Sequence, residues 1–165
     1  MIFQAVNLMD RYYSAQPSSL PAKDLQLTAV TALFIASKNL EVDPLDLKTC
    51  MQTLCFNKYS KMQFLEKEGQ IRRACHYENE APSCLDFIML YIRLLKVQLQ
   101  AKIHSTNHSC EFLLDVQTIA YDICKSLTLD ASLMKYKPNV LASCTVFLGF
   151  QLQFEMNQKL YELDT

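Results

Sequence analysis

Apolar positions along the chain recur at helical spacing, and they are densest over residues 25–41, which predicts one buried helix. Large aliphatic and aromatic side chains cover most of its circumference, whereas Ala29, Ala32 and Ala36 recur at intervals of three and four. An apolar helix in a soluble protein has to be covered by other helices, and a face of small residues lets one of them come close. We therefore expect this helix to be the centre of a helical domain.

The same periodicity predicts helices on both sides of the central one. They are expected over residues 2–14, from Asp43-Pro44, from Ser60 to about Cys75, from Pro82-Ser83 to near Lys102, over 110–127 and from Pro138 to about Phe154. Ser60 followed by Gln63 has the spacing of a capping box, and Asp43-Pro44 has the order of a cap and a first helical residue. Residues 104–109 have the composition of a linker.

The last predicted helix is similar to the central one. Residues 142–149, ASCTVFLG, align with residues 29–36, AVTALFIA. This repeat predicts two copies of one helical unit, each wrapped around its own central helix. Lys38, at the end of the central helix, has Gln151 at the aligned position, so the function is expected to be asymmetric between the copies.

Composition favours an all-helical protein of one or two small units. The chain has 165 residues, half of them hydrophobic, with only two glycines and five prolines, and a chain of this length can bury a sizeable core. Its net charge of −1 supplies no positive field for phosphates, which disfavours nucleic-acid binding. No apolar run is long enough to span a bilayer, and the seven cysteines include no C-x-x-C pair. We therefore expect a soluble intracellular protein without disulfides, bound metal or cofactor.

Two charged residues stand out within the helical pattern. Lys38 ends the central helix, where a cation complements the helix dipole. Glu68 lies on an apolar stripe, either as a carboxylate at the edge of the packed face, as a member of an intramolecular ion pair, or as a binding residue. Gly69 beside it weakens the helix, which either the close approach of another backbone or simple drift explains. The residues alone leave these alternatives open.

Several motifs, in the same order along the chain, resemble those of cyclins, especially of the A/B mitotic type. They are AVNLMDRYYS at 5–14, ALFIASK at 32–38, Tyr59-Ser60-Lys61 with Glu68 and Ile71, Ala81-Pro82-Ser83 with Phe87, and LMKYKP at 133–138 with Ala142. The resemblance implies an all-α, cyclin-like fold of two helical repeats, truncated at both ends. It assigns residues 1–80 to an N-terminal cyclin box lacking its first helix and residues 81–165 to part of a C-terminal box.

The resemblance also implies a partner and a surface that binds it. In cyclins, a lysine ending the central helix and a glutamate of the fifth helix contact the backbone around the αC segment of a cyclin-dependent kinase. The matching positions here are Lys38 and Glu68, with charge-assisted hydrogen bonds as the physical means. The same surface is expected to include Ile35, Asn39, Arg72 and Tyr77.

The implied function is that of a regulatory subunit, not an enzyme, which activates the kinase in cell-cycle progression. It is expected in the nucleus and cytoplasm, without a nucleic-acid, membrane or small-molecule partner. Two positions depart from the family, since Asn39 stands where an aromatic residue is usual and Arg72 where a leucine is usual. Both line the expected pocket for αC, so these changes weaken kinase binding or redirect it to a variant kinase. In the family, Asp10 pairs with an arginine of the first helix, which also carries the substrate-docking patch. Because the resemblance does not include that helix, substrate recruitment is not expected.

The main alternative is an interaction module of the same fold that activates no kinase, as in general transcription factors and pocket proteins, or a degenerate cyclin. An enzyme would have to use Cys75 and His76, or His104, His108 and Cys110. Adjacent residues on a helix point about 100° apart, so Cys75 and His76 do not form a nucleophile and base pair. A zinc site at His108 and Cys110 lacks the usual ligand spacing.

Overall fold

The computed structural model describes residues 1–17, 21–78, 81–102 and 107–163. Side chains are described for these residues except 100–102, 107–110, 131, 134 and 160–163. The α-helices are α1 (Ile2–Ser14), α2 (Leu25–Leu40), α3 (Leu47–Thr49), α4 (Lys61–Ala74), α5 (Cys84–Lys102), α6 (Asn107–Leu127) and α7 (Pro138–Leu163). Shorter helical turns lie at Ala22–Asp24, Cys50–Leu54 and Ala131–Lys135. Every regular element in the described ranges is helical, which confirms the all-α fold.

The chain forms two compact units, Met1–Ala81 and Pro82–Thr165. In the first unit, α1 and α4 pack against α2, and in the second, α5 and α6 pack against α7. In each unit these three helices contact one another, and α2 or α7 makes the most extensive contacts. No helix among the described residues combines the length and apolar character needed to cross a membrane.

The core of the first unit lies on two sides of α2. On one side, Ala32 is buried in a cluster with Leu8 of α1 and Ile71 of α4. On another side, the Phe34 ring meets the Phe64 ring of α4 edge to face, with the centroids 5.3 Å apart. Each such buried apolar side chain contributes about 1.5–3 kcal/mol through removal from water. The structure thus confirms the central helix, which ends at Leu40.

Buried threonines of α2 satisfy their hydroxyl groups within the helix. The Thr28 hydroxyl donates to the Asp24 carbonyl at 2.9 Å. One turn later, the Thr31 hydroxyl donates to the Leu27 carbonyl at 2.7 Å. Because an unpaired buried hydroxyl costs free energy, these bonds allow α2 to be enclosed on several sides.

The capping box that precedes α4 is confirmed. The Gln63 backbone N–H donates to the Ser60 hydroxyl at 3.2 Å, and the Ser60 backbone N–H donates to the Gln63 side-chain carbonyl at 2.8 Å. Each helix start has backbone N–H groups without helical partners, and this reciprocal pair satisfies two donors. The local sequence therefore sets where α4 begins.

The predicted start at Asp43-Pro44 is wrong, because the cap of α3 is Asp46. The Asp46 carboxylate accepts from the Thr49 backbone N–H at 2.7 Å and from the Thr49 hydroxyl at 2.8 Å. Meanwhile, the Leu45 backbone N–H donates to the hydroxyl of Ser37 in α2 at 2.6 Å. This contact joins the segment between Asp43-Pro44 and α3 to α2.

Polar contacts join the beginning and the end of the first unit. The Arg11 guanidinium of α1 donates to the carbonyls of Cys75 at 2.9 Å and Glu78 at 2.5 Å, just after α4. The Gln4 amide donates to the Ala81 carbonyl at 2.7 Å. The last carbonyls of a helix lack donors within that helix, and here the Arg11 guanidinium of α1 supplies hydrogen-bond donors to the end of α4.

In the second unit, α6 and α7 approach closely at Gly149. A Cβ built at Gly149 would lie 3.0 Å from the Val116 carbonyl oxygen and 3.3 Å from the Val116 Cγ1. The predicted linker at 104–109 is wrong over 107–109, where α6 begins, and residues 103–106 lie outside the described ranges. Helix α7 continues to Leu163, beyond the predicted end.

The two aligned segments differ in burial. Phe34 and Ile35 are 4% and 0% exposed in the first unit. Phe147 and Leu148 at the aligned positions are 64% and 43% exposed. The two large apolar side chains are therefore exposed in the second unit, whereas their counterparts in the first unit are buried.

Candidate protein-interaction site

The structure brings Lys38 and Glu68 together. Lys38 lies in the last turn of α2, Glu68 lies in the middle of α4, and the Lys38 Nζ is 3.1 Å from the Glu68 Oε1. The Lys38 side chain is 39% exposed and the Glu68 side chain only 12%. Of the three alternatives left open for Glu68, the observed contact is therefore the intramolecular ion pair.

Arg72 shares the same carboxylate. It lies one helical turn after Glu68, and its Nε and Nη2 donate to Glu68 Oε1 at 3.1 and 2.9 Å. One carboxylate oxygen thus receives hydrogen bonds from two cations. Such bonds are shorter and stronger than neutral ones, and they compensate for the low exposure of Glu68. The three charges together carry one net positive charge.

An aromatic ring lies beneath the Lys38 ammonium. The Nζ is 3.9 Å from the centroid of the Phe34 ring, which lies one turn earlier in α2. The negative face of an aromatic ring attracts a cation, so Phe34 holds the ammonium near the end of α2. The site therefore rests directly on the buried Phe34–Phe64 pair of the core.

Two further predicted residues lie beside Lys38 in the sequence. Asn39 is half-buried, and its Nδ2 is buried without a hydrogen-bond partner in the described part of the chain. Ile35 is fully buried in the core cluster that contains Leu8 and Ile71. The expected contact of Ile35 with a partner does not fit this conformation, because the apolar contact with α1 and α4 encloses its side chain.

Tyr77 is exposed beyond the end of α4. Its backbone has a φ of 61°, in the left-handed region, and its N–H donates to the Arg72 carbonyl at 2.8 Å. This bond closes the helix end that follows Arg72. The Tyr77 side chain makes no hydrogen bond with Lys38, Glu68 or Arg72.

Sequence reasoning missed two partnerships in this site. It did not name Phe34 as the ring beneath Lys38, and it treated Arg72 as a lost apolar contact rather than as a partner of Glu68. The signal was present in both cases, because positions 34 and 38, and 68 and 72, are four apart and share a helical face.

The residues considered for other chemistry are not assembled into a described site. The Cys75 thiol is buried, contacts the Leu8 carbonyl at 3.9 Å and has a pKa raised by burial, while His76 is exposed. No group of three or more His, Cys, Asp or Glu side chains is placed to hold a metal ion in the described ranges. His104 and the side chains of His108 and Cys110 lie outside them.

Comparisons with known proteins give a consistent family. Residues 1–79 match the family described as the cyclin N-terminal domain. Over 151 residues, or 90% of its length, the chain is 27% identical to cyclin-A1-4 of Oryza sativa subsp. japonica, of which it covers 38%. It is 27% identical to human cyclin-O over 144 residues, covering 87% of this chain and 38% of that protein. It is 26% identical to the G2/mitotic-specific cyclin-B of Arbacia punctulata over 152 residues, covering 92% of this chain and 32% of that protein.

These matches, together with the helical fold, support the resemblance of the chain to the cyclin family. The chain spans less than half the length of the curated relatives to which it is compared here. The all-α fold is consistent with the cyclin fold.

Proposed function

We propose that this chain is a cyclin-type regulatory subunit that binds and activates a cyclin-dependent serine/threonine kinase in cell-cycle progression. The observation that carries the proposal is the Lys38–Glu68 pair, 3.1 Å apart, within the unit that matches the cyclin N-terminal domain. The pair occupies the two positions that, by resemblance, contact the kinase's αC segment. A regulator of this kind is expected in the nucleus and the cytoplasm.

The paired charges retain capacity for a partner. The described hydrogen bonds to the Glu68 carboxylate all use Oε1, and none uses Oε2. The Lys38 ammonium has three donors, of which one is directed at Glu68. A carboxylate and an ammonium fixed by each other are preorganised, which lowers the ordering cost of binding.

Activation would follow from differential binding. By resemblance to cyclins, docking repositions αC so that the kinase's own glutamate meets its β3 lysine and the activation segment opens. A subunit shifts the kinase toward this state only to the extent that it binds the state more tightly. The chemistry belongs to the kinase, and the regulatory subunit contributes no catalytic group or cofactor.

The test is a titration of the purified chain into several monomeric cyclin-dependent kinases, with phosphate transfer to a peptide as the readout. We expect activation by the parent and its loss in the Lys38→Ala/Glu68→Ala variant. The matched control is Asp122→Ala/Lys125→Ala, which removes one exposed acid and one exposed base from α6. Binding and activation should both be measured, with the melting temperature reported for each variant. A folded parent that activates none of the kinases would contradict the proposal.

One observation favours a second candidate, an interaction module of the same fold that activates no kinase. Glu68 is already engaged by Lys38 and Arg72, and Arg72 is a cation where an apolar contact is usual in cyclins. For this candidate, the titration gives binding that depends on Lys38 and Glu68, without a rise in phosphate transfer.

A further inference from the structure

The site carries an unbalanced positive charge. Within the described residues, Glu68 is the only carboxylate within 4.0 Å of the charged nitrogens of Lys38 or Arg72. The neighbouring Arg73 is exposed and makes no ion pair with a described residue. A partner that covers this surface must therefore meet at least one cation that no acid of this chain compensates.

Of the two cations that contact Glu68, Arg72 is the less exposed to solvent. Its side chain is 26% exposed, less than the 39% of Lys38, so a docked partner would remove most of its remaining water. Two of its five N–H donors are directed at Glu68. Covering the rest with apolar side chains would leave buried donors unsatisfied, which is unfavourable.

The guanidinium group has a defined preference for what compensates it. Its planar fork fits a carboxylate with two parallel hydrogen bonds, a geometry that a backbone carbonyl does not reproduce. The bonds to Glu68 use Nε and Nη2, and no hydrogen bond in the described part of the chain uses Nη1. A carboxylate from outside the chain would restore the charge balance.

We propose that Arg72 makes this site selective for a partner segment with an acidic side chain at the contact, so that the chain favours an αC segment that carries a carboxylate there. The inference rests on the proposed function, because it names the kind of kinase segment that the same surface takes. In this view Arg72 replaces an apolar contact with a charge-specific one. Segments that offer only apolar or neutral groups to Arg72 are bound more weakly.

The experiment is a double-mutant cycle between the full chain and a monomeric cyclin-dependent kinase that binds it. Each exposed position of the kinase's αC segment is set to Glu and, separately, to its neutral isostere Gln. The dissociation constants are measured by titration calorimetry against the parent, Arg72→Met and Arg72→Lys. Arg73→Met, at the exposed neighbouring position, is the matched control, and far-ultraviolet dichroism verifies the fold of each variant.

We expect at least one position where Glu improves the affinity of the parent about tenfold over Gln, as an additional charge-assisted bond does. The preference should vanish in Arg72→Met, persist in part in Arg72→Lys, and remain in Arg73→Met. High ionic strength should reduce it.

Two outcomes would overturn the inference, and they differ in what they say of the function. If the parent binds through Lys38 and Glu68 but shows no preference for Glu over Gln at any position, the inference alone is overturned. If the folded parent binds no kinase at all, both the inference and the proposed function are overturned.

Discussion

The Lys38 ammonium lies 3.9 Å from the centroid of the Phe34 ring, so an exposed cation of the candidate site rests on a side chain of the core. Phe34 is itself only 4% exposed, and the centroid of its ring lies 5.3 Å from that of the Phe64 ring. The position of Lys38 therefore depends on how the core is packed beneath it. A change in the core is expected to alter the site without touching its charges.

The coupling of Lys38 to Phe34 is testable with a second double-mutant cycle. Phe34→Leu should lower the free energy of unfolding by about 2 kcal/mol, because it removes a buried ring and the edge contact with Phe64. In combination with Lys38→Met, the two effects should deviate from additivity by roughly 0.5–2 kcal/mol, the range of a cation–π contact. Urea denaturation provides the energies. Lys48→Met, an exposed lysine of α3, is the control and should be additive with Phe34→Leu.

Neither close packing nor a turn requires a glycine at position 69. A Cβ at Gly69 would meet only the Arg73 guanidinium, at 3.7 Å or more, an ordinary contact distance. Gly69→Ala should therefore raise the free energy of unfolding by about 0.5–1 kcal/mol through helix propensity. Chemical denaturation measures the change. A loss of stability would mean that glycine is needed at this position.

The other glycine should respond in the opposite direction. The Cβ of Gly149→Ala would lie 3.0 Å from the Val116 carbonyl oxygen, so α7 has to move away from α6. Such overpacking typically costs about 1–3 kcal/mol, which exceeds the gain in helix propensity. Thermal and urea denaturation of the two alanine variants should thus give shifts of opposite sign. Equal stabilisation of both variants would contradict the close approach.

Asp10 should make stability depend on pH. Burial raises the pKa of its carboxyl, and no hydrogen bond or ion pair joins that carboxyl to another described residue. A carboxyl with a higher pKa in the folded chain binds more protons when folded, so stability falls as the pH rises through that folded pKa. Asp10→Asn should therefore raise the free energy of unfolding at neutral pH. The gain should shrink toward pH 3.8, the ordinary pKa, and disappear below it, where both states are protonated.

Urea denaturation between pH 4 and pH 7 measures how the difference in the free energy of unfolding between Asp10→Asn and the parent changes with pH. This range runs roughly from the ordinary pKa of an aspartate to neutrality. Asp122→Asn, an exposed aspartate of α6, is the matched control. A stability difference for Asp10→Asn that is the same at every pH would show that the carboxyl does not titrate abnormally.

The cysteines should differ in their reactivity. Cys144 is exposed, whereas Cys50 is fully buried. Burial is the main reason that the pKa of the Cys50 thiol is raised to about 11. Because the thiolate is the nucleophile, iodoacetamide should alkylate Cys144 first and leave Cys50 unmodified in the folded chain. Peptide mass spectrometry after short labelling times measures both rates, and labelling in urea gives the unfolded reference. Equal rates in the folded chain would contradict the burial of Cys50.

The parts of the fold set by local chemistry could be predicted from the sequence. The apolar run of α2 and the Ser60–Gln63 capping box depend on neighbouring residues, and both are confirmed. The start of α3 is set by the Asp46 cap, whereas Asp43-Pro44 offers a competing local signal three residues earlier. The prediction chose the wrong one of two possible caps, because the segment alone does not show that the Leu45 backbone N–H bonds to the Ser37 hydroxyl of α2 rather than within a helix.

The same distinction holds for the site. Lys38 and Glu68 could be named from the sequence because each interrupts or ends a helical pattern, but their mutual contact spans two helices. The burial of Ile35 depends on how α1 and α4 cover α2, which the periodicity of one helix does not specify. A helix that is apolar all round offers no sequence signal for which side faces a partner.

The contacts from Arg11 to Cys75 and Glu78, and from Gln4 to Ala81, carry a consequence for biosynthesis. They join opposite ends of the first unit, so none can form until the ribosome has released nearly the whole unit. Contacts at such long sequence separation are entropically costly to close and are typical of slower folding. During translation, α1 and α2 of the nascent first unit therefore lack the cover of α4 until that helix has been synthesised.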